Sequence, residues 1–276
     1  MILPIMAKKV SKTILSFQKL VWQYYKKEGR SLPWRKTKDP YFIMVSEFML
    51  QQTQVGRVVD KYSAFIKKFP TIQKLAKAPL SDVIILWQGL GYNRRAKYLH
   101  DAAKQIVEKY KGVVPHRESE LTALPGIGVY TARAIGAFAF SQPSVVIETN
   151  IRSVFIYHFF KTKEKVSDKE LLPLIQESLD MKNPREWYFA LMDYGTHIKQ
   201  NHGSLVGKSL HFVKQKPFKG SEREVRGKIV RLLVKKSLTK KDLETKIGDQ
   251  RVSKILIDLC HQGLICKINS HYSLPK

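Results

Sequence analysis

The stretch LPGIGVYTAR, from Leu124 to Arg133, decides the fold of this chain. Pro125, Gly126 and Gly128 predict a tight turn between a helix that ends near residue 122 and one that begins near residue 129. Such a turn leaves backbone N–H groups at a helix N-terminus open to a phosphate. This contact holds a nucleic-acid backbone without reading its sequence. A plain connector between two helices is the alternative, and the positive charge of the chain favours the phosphate interpretation.

The composition indicates a globular protein with an anionic partner. The 276 residues include 49 Lys+Arg and 23 Asp+Glu, a net charge of +26. Hydrophobic residues make up 43%, which is too many for a disordered chain, and the length allows one or two domains. The charge favours nucleic acid over a membrane surface, because no basic amphipathic anchor stands out. A lysine-rich proteome is the alternative explanation.

Cysteines and apolar runs exclude several classes of protein. Cys260 and Cys266 alone cannot build a disulfide framework or a four-cysteine zinc or iron–sulfur site within one chain, so no metal is expected. The apolar opening Met1–Met6 precedes its lysines, the reverse of a secretory signal. Runs such as Ala134–Phe140 are too short to span a membrane. We therefore expect a cytoplasmic protein, associated with the nucleoid if it is prokaryotic.

Apolar residues recur at three- and four-residue spacing along the first 200 residues, which predicts an all-α region. Ser167 with Glu170, and Ser221 with Glu224, fit the capping box that begins a helix. No alternating strand is predicted before residue 264. The helical segments are Ile14–Tyr25, Val58–Phe69, Leu80–Trp87, Ala96–Tyr110 and Leu171–Leu179.

The composition changes after residue 198. Residues 199–220 contain five lysines and no acidic residue, which predicts a basic linker. Residues 221–276 then resemble a winged-helix domain, whose third helix would enter a DNA groove and whose hairpin would be the wing. A winged helix used for protein contacts is the alternative. The predicted elements are helices over Glu222–Val234, Thr239–Ile247 and Asp249–Gln262, and strands over Leu264–Ile268 and His271–Leu274.

Two isolated carboxylates stand in apolar surroundings. Glu47 is the only charged residue between Asp39 and Arg57, and Glu148 follows the uncharged run 144–147. A carboxylate with apolar neighbours on every helix face is at least partly buried, which favours its protonated form, as a general acid requires. Two such groups are the minimum for cleaving a glycosidic bond, one as proton donor and one stabilising the sugar cation. Each alone is equally consistent with a helix cap or a structural acid, and spacing does not place them in one site.

Five blocks in order resemble the helix-hairpin-helix (HhH-GPD) DNA glycosylases, and within them the adenine-glycosylase (MutY-type) branch. The resemblance implies a mainly α fold of two subdomains over residues 1–198, with the hairpin at about 120–135, followed here by the small winged-helix domain. The blocks are LPWR (Leu32–Arg35), SEFMLQQTQV (Ser46–Val55), WQGLGYNRRAKYLH (Trp87–His100), LPGIGVYTARAIGAFAF (Leu124–Phe140) and ETNIRSV (Glu148–Val154).

The resemblance assigns catalytic roles to four residues. Glu47 matches the glutamate that protonates the base. Glu148 stands where the family has an aspartate, followed by the expected Asn150, and its longer side chain still permits stabilisation of the sugar cation. Tyr130 occupies the position of the Schiff-base lysine of lyase-competent relatives, which implies a glycosylase without lyase activity.

The resemblance also implies a set of DNA-binding residues. A target base must leave the duplex, so the family uses wedge and stacking side chains beside a pocket. Trp34 and Arg35 would border the pocket, although Trp34 also fits a core anchor. Residues implied to line the pocket, wedge into the duplex, stack on bases or hold phosphates are Leu50, Gln51, Gln52, Tyr92, Gly126 and Gly128.

Three departures from the branch change the expectation. The four cysteines that hold a [4Fe–4S] cluster after a helix like Ala190–Lys199 are missing, so the chain resembles the cluster-less members. The C-terminal domain that recognises 8-oxoguanine is replaced by the predicted winged helix. The glutamine that reads the adenine edge appears as Tyr188 or Phe189, and Phe189 is the candidate contact to the base.

We therefore expect a monomeric, metal-free and cluster-free glycosylase that acts on double-stranded DNA, does not bind membranes, and removes adenine opposite 8-oxoguanine or guanine. A glycosylase for thymine or uracil opposite guanine is the alternative enzyme. A non-catalytic DNA-binding protein that keeps the fold is the third possibility, and the retention of Glu47 in its apolar helix argues against it.

Overall fold

Most of the chain folds into helices, as the apolar spacing predicts. The computed structural model describes residues 11–215 and 217–276, so the opening Met1–Met6 lies outside the described residues. Within the described residues, no helix is both long enough and apolar enough to cross a membrane.

The described elements are α1 (Lys12–Glu28), α2 (Pro40–Leu50), α3 (Val55–Lys68), α4 (Ile72–Lys77), α5 (Leu80–Trp87), α6 (Arg94–Tyr110), α7 (Glu118–Thr122), α8 (Val129–Phe140), α9 (Thr149–Phe159), α10 (Asp168–Glu177), α11 (Pro184–His202), α12 (Glu222–Lys235), β1 (Leu238–Thr239), α13 (Lys240–Ile247), α14 (Val252–His261), β2 (Cys266–Ile268) and β3 (His271–Ser273), with 3-10 turns at Pro33–Lys36 and Val206–Lys208.

The first compact unit contains residues 11–32 and 132–214. In it, α11 packs against both α1 and α9. The ring of Phe17 lies 5.2 Å from that of Phe155 and meets Trp187 edge-on at 6.1 Å. A Cβ at Gly195 would lie 2.6 Å from the carbonyl oxygen of Asn150, so only glycine lets α11 approach α9 this closely.

The second compact unit contains residues 33–131 and 215–276. Helix α2 is packed by α3 and α6, and all its residues from Ile43 to Met49 are buried. This explains why its sequence has no polar face: a helix that is apolar all round is a buried helix. The core around it includes the fully buried side chains of Phe48, Phe65 and Trp87.

The C-terminal part of the second unit has three helices and a small antiparallel sheet of strand order β1-β3-β2. Tyr272 in β3 pairs with Leu238 on one side and Lys267 on the other. The hairpin turn at Asn269 has a φ of 53°, which asparagine tolerates. The helices and the hairpin agree with the predicted winged-helix arrangement.

Two local predictions were wrong. A strand does occur before residue 264, since β1 forms by pairing with β3. It has only two residues, so its sequence shows no alternation. Ser221 does not form a capping box: its hydroxyl donates to the carbonyl of Phe218, and Glu224 accepts from the N–H of Gly220 instead. The other capping box, Ser167 with Glu170, is confirmed.

The basic segment after residue 198 is partly regular. Helix α11 continues to His202, because lysine favours helices and the first helix breaker is Gly203. Beyond it, Lys208 accepts the N–H of Val166 at 2.8 Å, and Leu210 donates back to the Val166 carbonyl at 2.9 Å. Part of the predicted linker is therefore attached to the first unit by a short parallel bridge.

Candidate active site and nucleic-acid interface

Glu47 lies in the last turn of α2 within the second unit. The helix begins at Pro40, and the side chain of Asp39 caps it by accepting the N–H of Tyr41 at 2.8 Å. Only 6% of Glu47 is exposed, although it is a carboxylate. The burial expected from its apolar neighbours is confirmed, and burial of an acid is expensive unless the site uses it or pairs it.

Arg95, at the start of α6, holds the end of α2 in place. One guanidinium nitrogen donates to the carbonyls of Phe48 and Met49 at 2.9 and 3.0 Å. The other donates to the Thr53 hydroxyl at 2.9 Å and to the carbonyls that follow α5 at Leu90 and Gly91. Burial lowers the pKa of this guanidinium to about 10. A cation there satisfies carbonyls that helix α2 leaves unpaired at its C-terminus.

Sequence reasoning missed this role of Arg95. By residue type Arg94 and Arg95 are alike, although Arg94 is exposed and Arg95 is buried. The available signal was helical phase: Arg95 precedes Ala96, and both begin the buried stripe of α6 that continues through Leu99.

Gln51 connects the end of α2 to the hairpin. Its amide donates to the Thr131 hydroxyl at 3.3 Å and, more weakly, to the Gly126 carbonyl at 3.5 Å. Its own N–H is bonded to the carbonyl of Glu47 at 3.3 Å. Within the second unit, Gln51 thus joins the predicted acid to the predicted phosphate-binding turn, by its backbone on one side and its side chain on the other.

The hairpin has the tight turn that the sequence predicts. Gly126 has a φ of 75°, and a Cβ there would lie 2.6 Å from the Cβ of Tyr98 and 2.9 Å from Phe48. A Cβ at Gly128, by contrast, would meet nothing within 4 Å, so a ligand can approach this backbone closely. Tyr130, in the first turn of α8, is 37% exposed. The geometry suits a phosphate contact at a helix N-terminus.

Gln52 and Tyr92 project from the turns that follow α2 and α5. Both have left-handed backbones, with φ of 54° and 48°, and Tyr92 is 39% exposed. The C-terminal part of the same unit contacts both: Gln215 donates to Gln52 at 2.9 Å, and Arg223 donates to the Tyr92 hydroxyl at 2.8 Å. Leu50 is half-buried at the end of α2.

Trp34 is buried in the core of the second unit. It is 4% exposed and meets Tyr62 of α3 edge-on at 5.5 Å, as a core anchor does. The neighbouring Arg35 is half-buried in the same 3-10 turn. The structure therefore places the tryptophan in the core of the second unit.

Glu148 lies in the first unit, as the N-cap of α9. One carboxylate oxygen accepts the N–H of Ile151 at 2.8 Å, and the other accepts the amide of Asn150 at 3.1 Å. Burial raises the pKa of Glu148, and the N–H groups of Asn150 and Ile151 together with the charge of Arg152 oppose this rise. Glu148 and Asn150 are thus brought together, and the capping role anticipated as an alternative is present.

Tyr188 and Phe189 are both buried in α11 of the first unit. The Tyr188 hydroxyl donates to the carbonyl of Ser144 at 2.7 Å and accepts the N–H of Val146 at 3.0 Å. Phe189 stacks on Phe138 at 4.9 Å. Both hydrogen-bonding directions of the Tyr188 hydroxyl are used by the backbone, and Phe189 has no polar group.

Metal ligands are scarce in the part of the chain that the structure describes. It contains no group of three or more His, Cys, Asp or Glu residues arranged to hold a metal ion. Where relatives with a [4Fe–4S] cluster would have cysteines, this chain has Thr196 and His197, whose ring packs against Tyr24 at 4.8 Å. Its two cysteines lie in the other unit, on α14 and β2. These residues do not fit a cluster.

A helical fold that places a buried carboxylate, Glu47, beside a glycine-containing hairpin defines a class of protein. Residues 45–179 match the HhH-GPD superfamily of base excision DNA repair proteins. The chain belongs to this superfamily, which confirms the family and fold that the five sequence blocks imply.

Among curated proteins, the chain is similar to adenine DNA glycosylases. It is 38% identical over 188 residues to that of Buchnera aphidicola, which covers 67% of this chain and 54% of the relative. It is 34% identical over 197 residues to that of Homo sapiens, covering 67% of this chain and 36% of the relative. The chain spans about half the length of the bacterial relative and less of the human one.

Solved structures show the same fold. A thermostable thymine-DNA glycosylase matches with a TM-score of 0.59 and 26% identity, over 67% of this chain and 86% of that one. A trapped endonuclease III–DNA covalent intermediate matches with a TM-score of 0.57, over 70% and 88% of the two chains. Its 18% identity supports the fold alone.

Proposed function

We propose that this chain is a DNA glycosylase that removes adenine opposite 8-oxoguanine or guanine by hydrolysing the N-glycosidic bond. The observation that carries the proposal is the buried carboxylate of Glu47, one helical turn before Gln51, whose amide reaches the hairpin at Gly126 and Thr131. The similarity to adenine DNA glycosylases supports adenine as the substrate.

The proposed chemistry divides between the two carboxylates. Glu47 gives a proton to the base, so that the electron pair of the bond to C1′ leaves with a neutral base. Glu148, held by the N–H of Ile151 and the amide of Asn150, stabilises the positive charge that develops on the sugar. Water then adds at C1′ and gives a proton to the carboxylate of Glu47, which restores the acid. The hairpin holds the DNA backbone throughout.

The product of this reaction is an intact abasic strand. Tyr130 supplies a phenol where a lyase would need an amine to form a Schiff base. Borohydride should therefore trap no covalent protein–DNA adduct, and the strand should break only after alkali. The enzyme works without an iron–sulfur cluster, as a cytoplasmic or nucleoid-associated monomer on double-stranded DNA.

Base selectivity should be loose. The hydroxyl of Tyr188 is engaged by the backbone of residues 144 and 146, and Phe189 offers only a ring face. A side chain that reads a base edge contributes about 1–3 kcal/mol of discrimination, and neither residue supplies it. We expect adenine to be removed from A·8-oxoguanine and from A·G at rates closer than an edge-reading contact would allow.

A panel of mismatched duplexes under single turnover tests this proposal. The enzyme is saturating, and the duplexes carry A·8-oxoguanine, A·G, T·G, U·G or only paired bases. Release of adenine from the first two supports the proposal. The Glu47→Gln variant, which keeps the side-chain shape, is the matched control in every arm.

A second candidate is a glycosylase for thymine or uracil opposite guanine. The similarity to a thymine-DNA glycosylase, which covers 86% of that chain, favours it. Rapid loss of thymine or uracil with adenine untouched would establish this alternative. Tight binding to all duplexes without loss of any base would instead identify a non-catalytic DNA-binding protein.

A further inference from the structure

A cavity of about 450 Å³ lies within the second unit, and Glu47 is not among the described residues that line it. On one side is α12, and on the other are the turns that follow α2 and α5, which carry Gln52 and Tyr92. We call it the α12 groove. Its position brings the C-terminal helices to the two turn residues that the sequence marks as duplex wedges.

The described residues that line the groove carry positive charge and no carboxylate. Arg57 contributes from α3, and Arg223, Arg226 and Arg231 contribute from α12. Burial, followed by the charge of Arg94, lowers the pKa of Arg226, as expected where cations crowd together. The groove therefore fits an anionic ligand.

Amide and aromatic groups accompany these arginines. Gln215 donates to Gln52 at 2.9 Å and accepts from Arg223 at 3.3 Å, while Arg223 donates to the hydroxyl of Tyr92 at 2.8 Å. The Arg223 guanidinium also lies 5.8 Å from the centre of the Tyr92 ring. Arginine and amide side chains bond to base edges, and an exposed aromatic ring offers a stacking surface.

The helix leaves room for such a ligand. Arg223, Gly227 and Arg231 recur every four residues, so they share one face of α12. A Cβ at Gly227 would meet nothing within 4 Å, although this glycine lies inside a helix that alanine would stabilise. The missing side chain keeps the middle of the groove open.

The third helix of the winged-helix arrangement is less suited to DNA. Helix α14 contains one lysine, Lys254, and also Asp258. Its exposed positions include the apolar Ile257, which is 56% exposed. The cations of the C-terminal region that line the α12 groove are on α12 instead.

We propose that the α12 groove binds one unstacked nucleotide of the DNA, with its base against Tyr92 and its phosphates near the arginines of α12 and Arg57. This inference rests on the proposed function, because it takes DNA as the substrate. It assigns the C-terminal region a direct part in recognising DNA whose bases have left the stack, next to the wedge residues.

The test compares two DNA ligands and four variants. Fluorescence anisotropy gives the affinity for a duplex with one unpaired nucleotide and for the fully paired duplex of equal length, at one salt concentration. Arg231→Gln removes a groove cation, and Gly227→Glu fills the groove and adds a negative charge. Lys235→Gln is the matched control, since it removes an exposed cation of the same helix that does not line the groove.

We expect Arg231→Gln to lower the preference for the unpaired over the paired duplex about five- to tenfold, the effect of losing one charge-assisted contact to a phosphate that only the unstacked nucleotide brings into the groove. Gly227→Glu should lower it at least as much, and Lys235→Gln should leave it unchanged. Gly227→Ala, with an unfolding temperature no lower than that of the wild type, shows that the helix tolerates a side chain at this position.

Two outcomes would overturn the proposal. Equal losses of affinity for both duplexes in Arg231→Gln would make the groove a track for phosphates only. Unchanged affinities in both groove variants would show that the groove does not receive DNA. Base release, measured separately, reports on the proposed function: a failed preference test with adenine still released would reject the groove alone, and failed release with an intact preference would reject only the glycosylase activity.

Discussion

Glu47 and Glu148 are the same residue type in two opposite environments. Glu47 sits in the last turn of a helix that is buried on all sides. Glu148 stands before the first turn of α9, half-buried, and accepts hydrogen bonds from Ile151 and Asn150. A helix carries partial negative charge at its C-terminus and partial positive charge at its N-terminus. The N-terminus of α9 and these two hydrogen bonds favour the charged form of Glu148, but burial outweighs them and raises its pKa. Glu47 lies at the opposite, negative end of its helix.

This difference bears on the two proposed roles, proton donor for Glu47 and stabiliser of the sugar cation for Glu148. A proton donor must hold its proton until the base accepts it, which burial and a helix C-terminus favour. A group that stabilises a sugar cation must instead carry charge, and hydrogen bonds to that charge keep it in place. Substitutions of Glu47 and Glu148 should therefore affect the rate of base release and the free energy of unfolding to different degrees.

The largest effect is expected from Glu47→Gln. It removes the proton and keeps the shape, so base release under single turnover should fall at least about 100-fold. The free energy of unfolding should stay the same or rise, because a buried acid is costly to the fold. Release at close to the wild-type rate would contradict the role of Glu47 as the proton donor.

The second prediction concerns Arg95, which holds the helix end next to Glu47. Arg95→Lys keeps the charge, but one ammonium cannot serve carbonyls on both sides of the guanidinium. We expect the free energy of unfolding in urea to fall by about 3 kcal/mol, as for other buried polar networks. Arg94→Lys, at the exposed neighbour, is the matched control and should change it by less than about 0.5 kcal/mol. Similar values for both would show that the contacts of Arg95 are unimportant.

A third, smaller effect is expected at Glu148. Glu148→Ala removes the cap of α9 and should lower the free energy of unfolding by about 1 kcal/mol. Glu148→Asp should keep most of the cap, since aspartate is a good N-cap, and should retain base release better than the alanine variant. Denaturation and single-turnover rates measured on both variants test this order. Aspartate as harmful as alanine would refute it.

The smallest expected effect is a dependence of the stability of the fold on pH. Burial raises the pKa of Glu148 above its ordinary value of 4.5, so this group stabilises the fold while protonated, and that contribution is lost as pH rises through the raised pKa. Glu148→Gln has no such titration. The stability of the wild type relative to this variant should therefore decrease from pH 4.5 upwards, measured by thermal unfolding across pH. An opposite slope would mean that the hydrogen bonds outweigh burial.

Several features were readable in the sequence because they depend on local physics. The hairpin followed from Pro125 and two glycines, since few residues allow such a turn. The burial of Glu47 followed from ten consecutive positions without a polar helix face. The superfamily followed from motifs in order, and the comparison at residues 45–179 confirms it.

Other features required contacts between distant residues. The strand β1 exists because two residues meet β3, more than thirty positions later. The environment of Tyr188 depends on a backbone more than forty residues earlier. Arg95 is the same residue type as its neighbour Arg94, yet one is buried among carbonyls and the other is exposed.

The sequence by itself thus determined the helices, the hairpin turn, the excess of positive charge and the chemical identity of the two acids, because each depends on residues close together in the chain. Only the tertiary structure decided that Arg95 closes the end of α2 and that α12 faces Gln52 and Tyr92 across a groove of arginines. The physical reason is that hydrogen bonding and burial depend on which distant segments meet, and residue types alone do not specify that meeting.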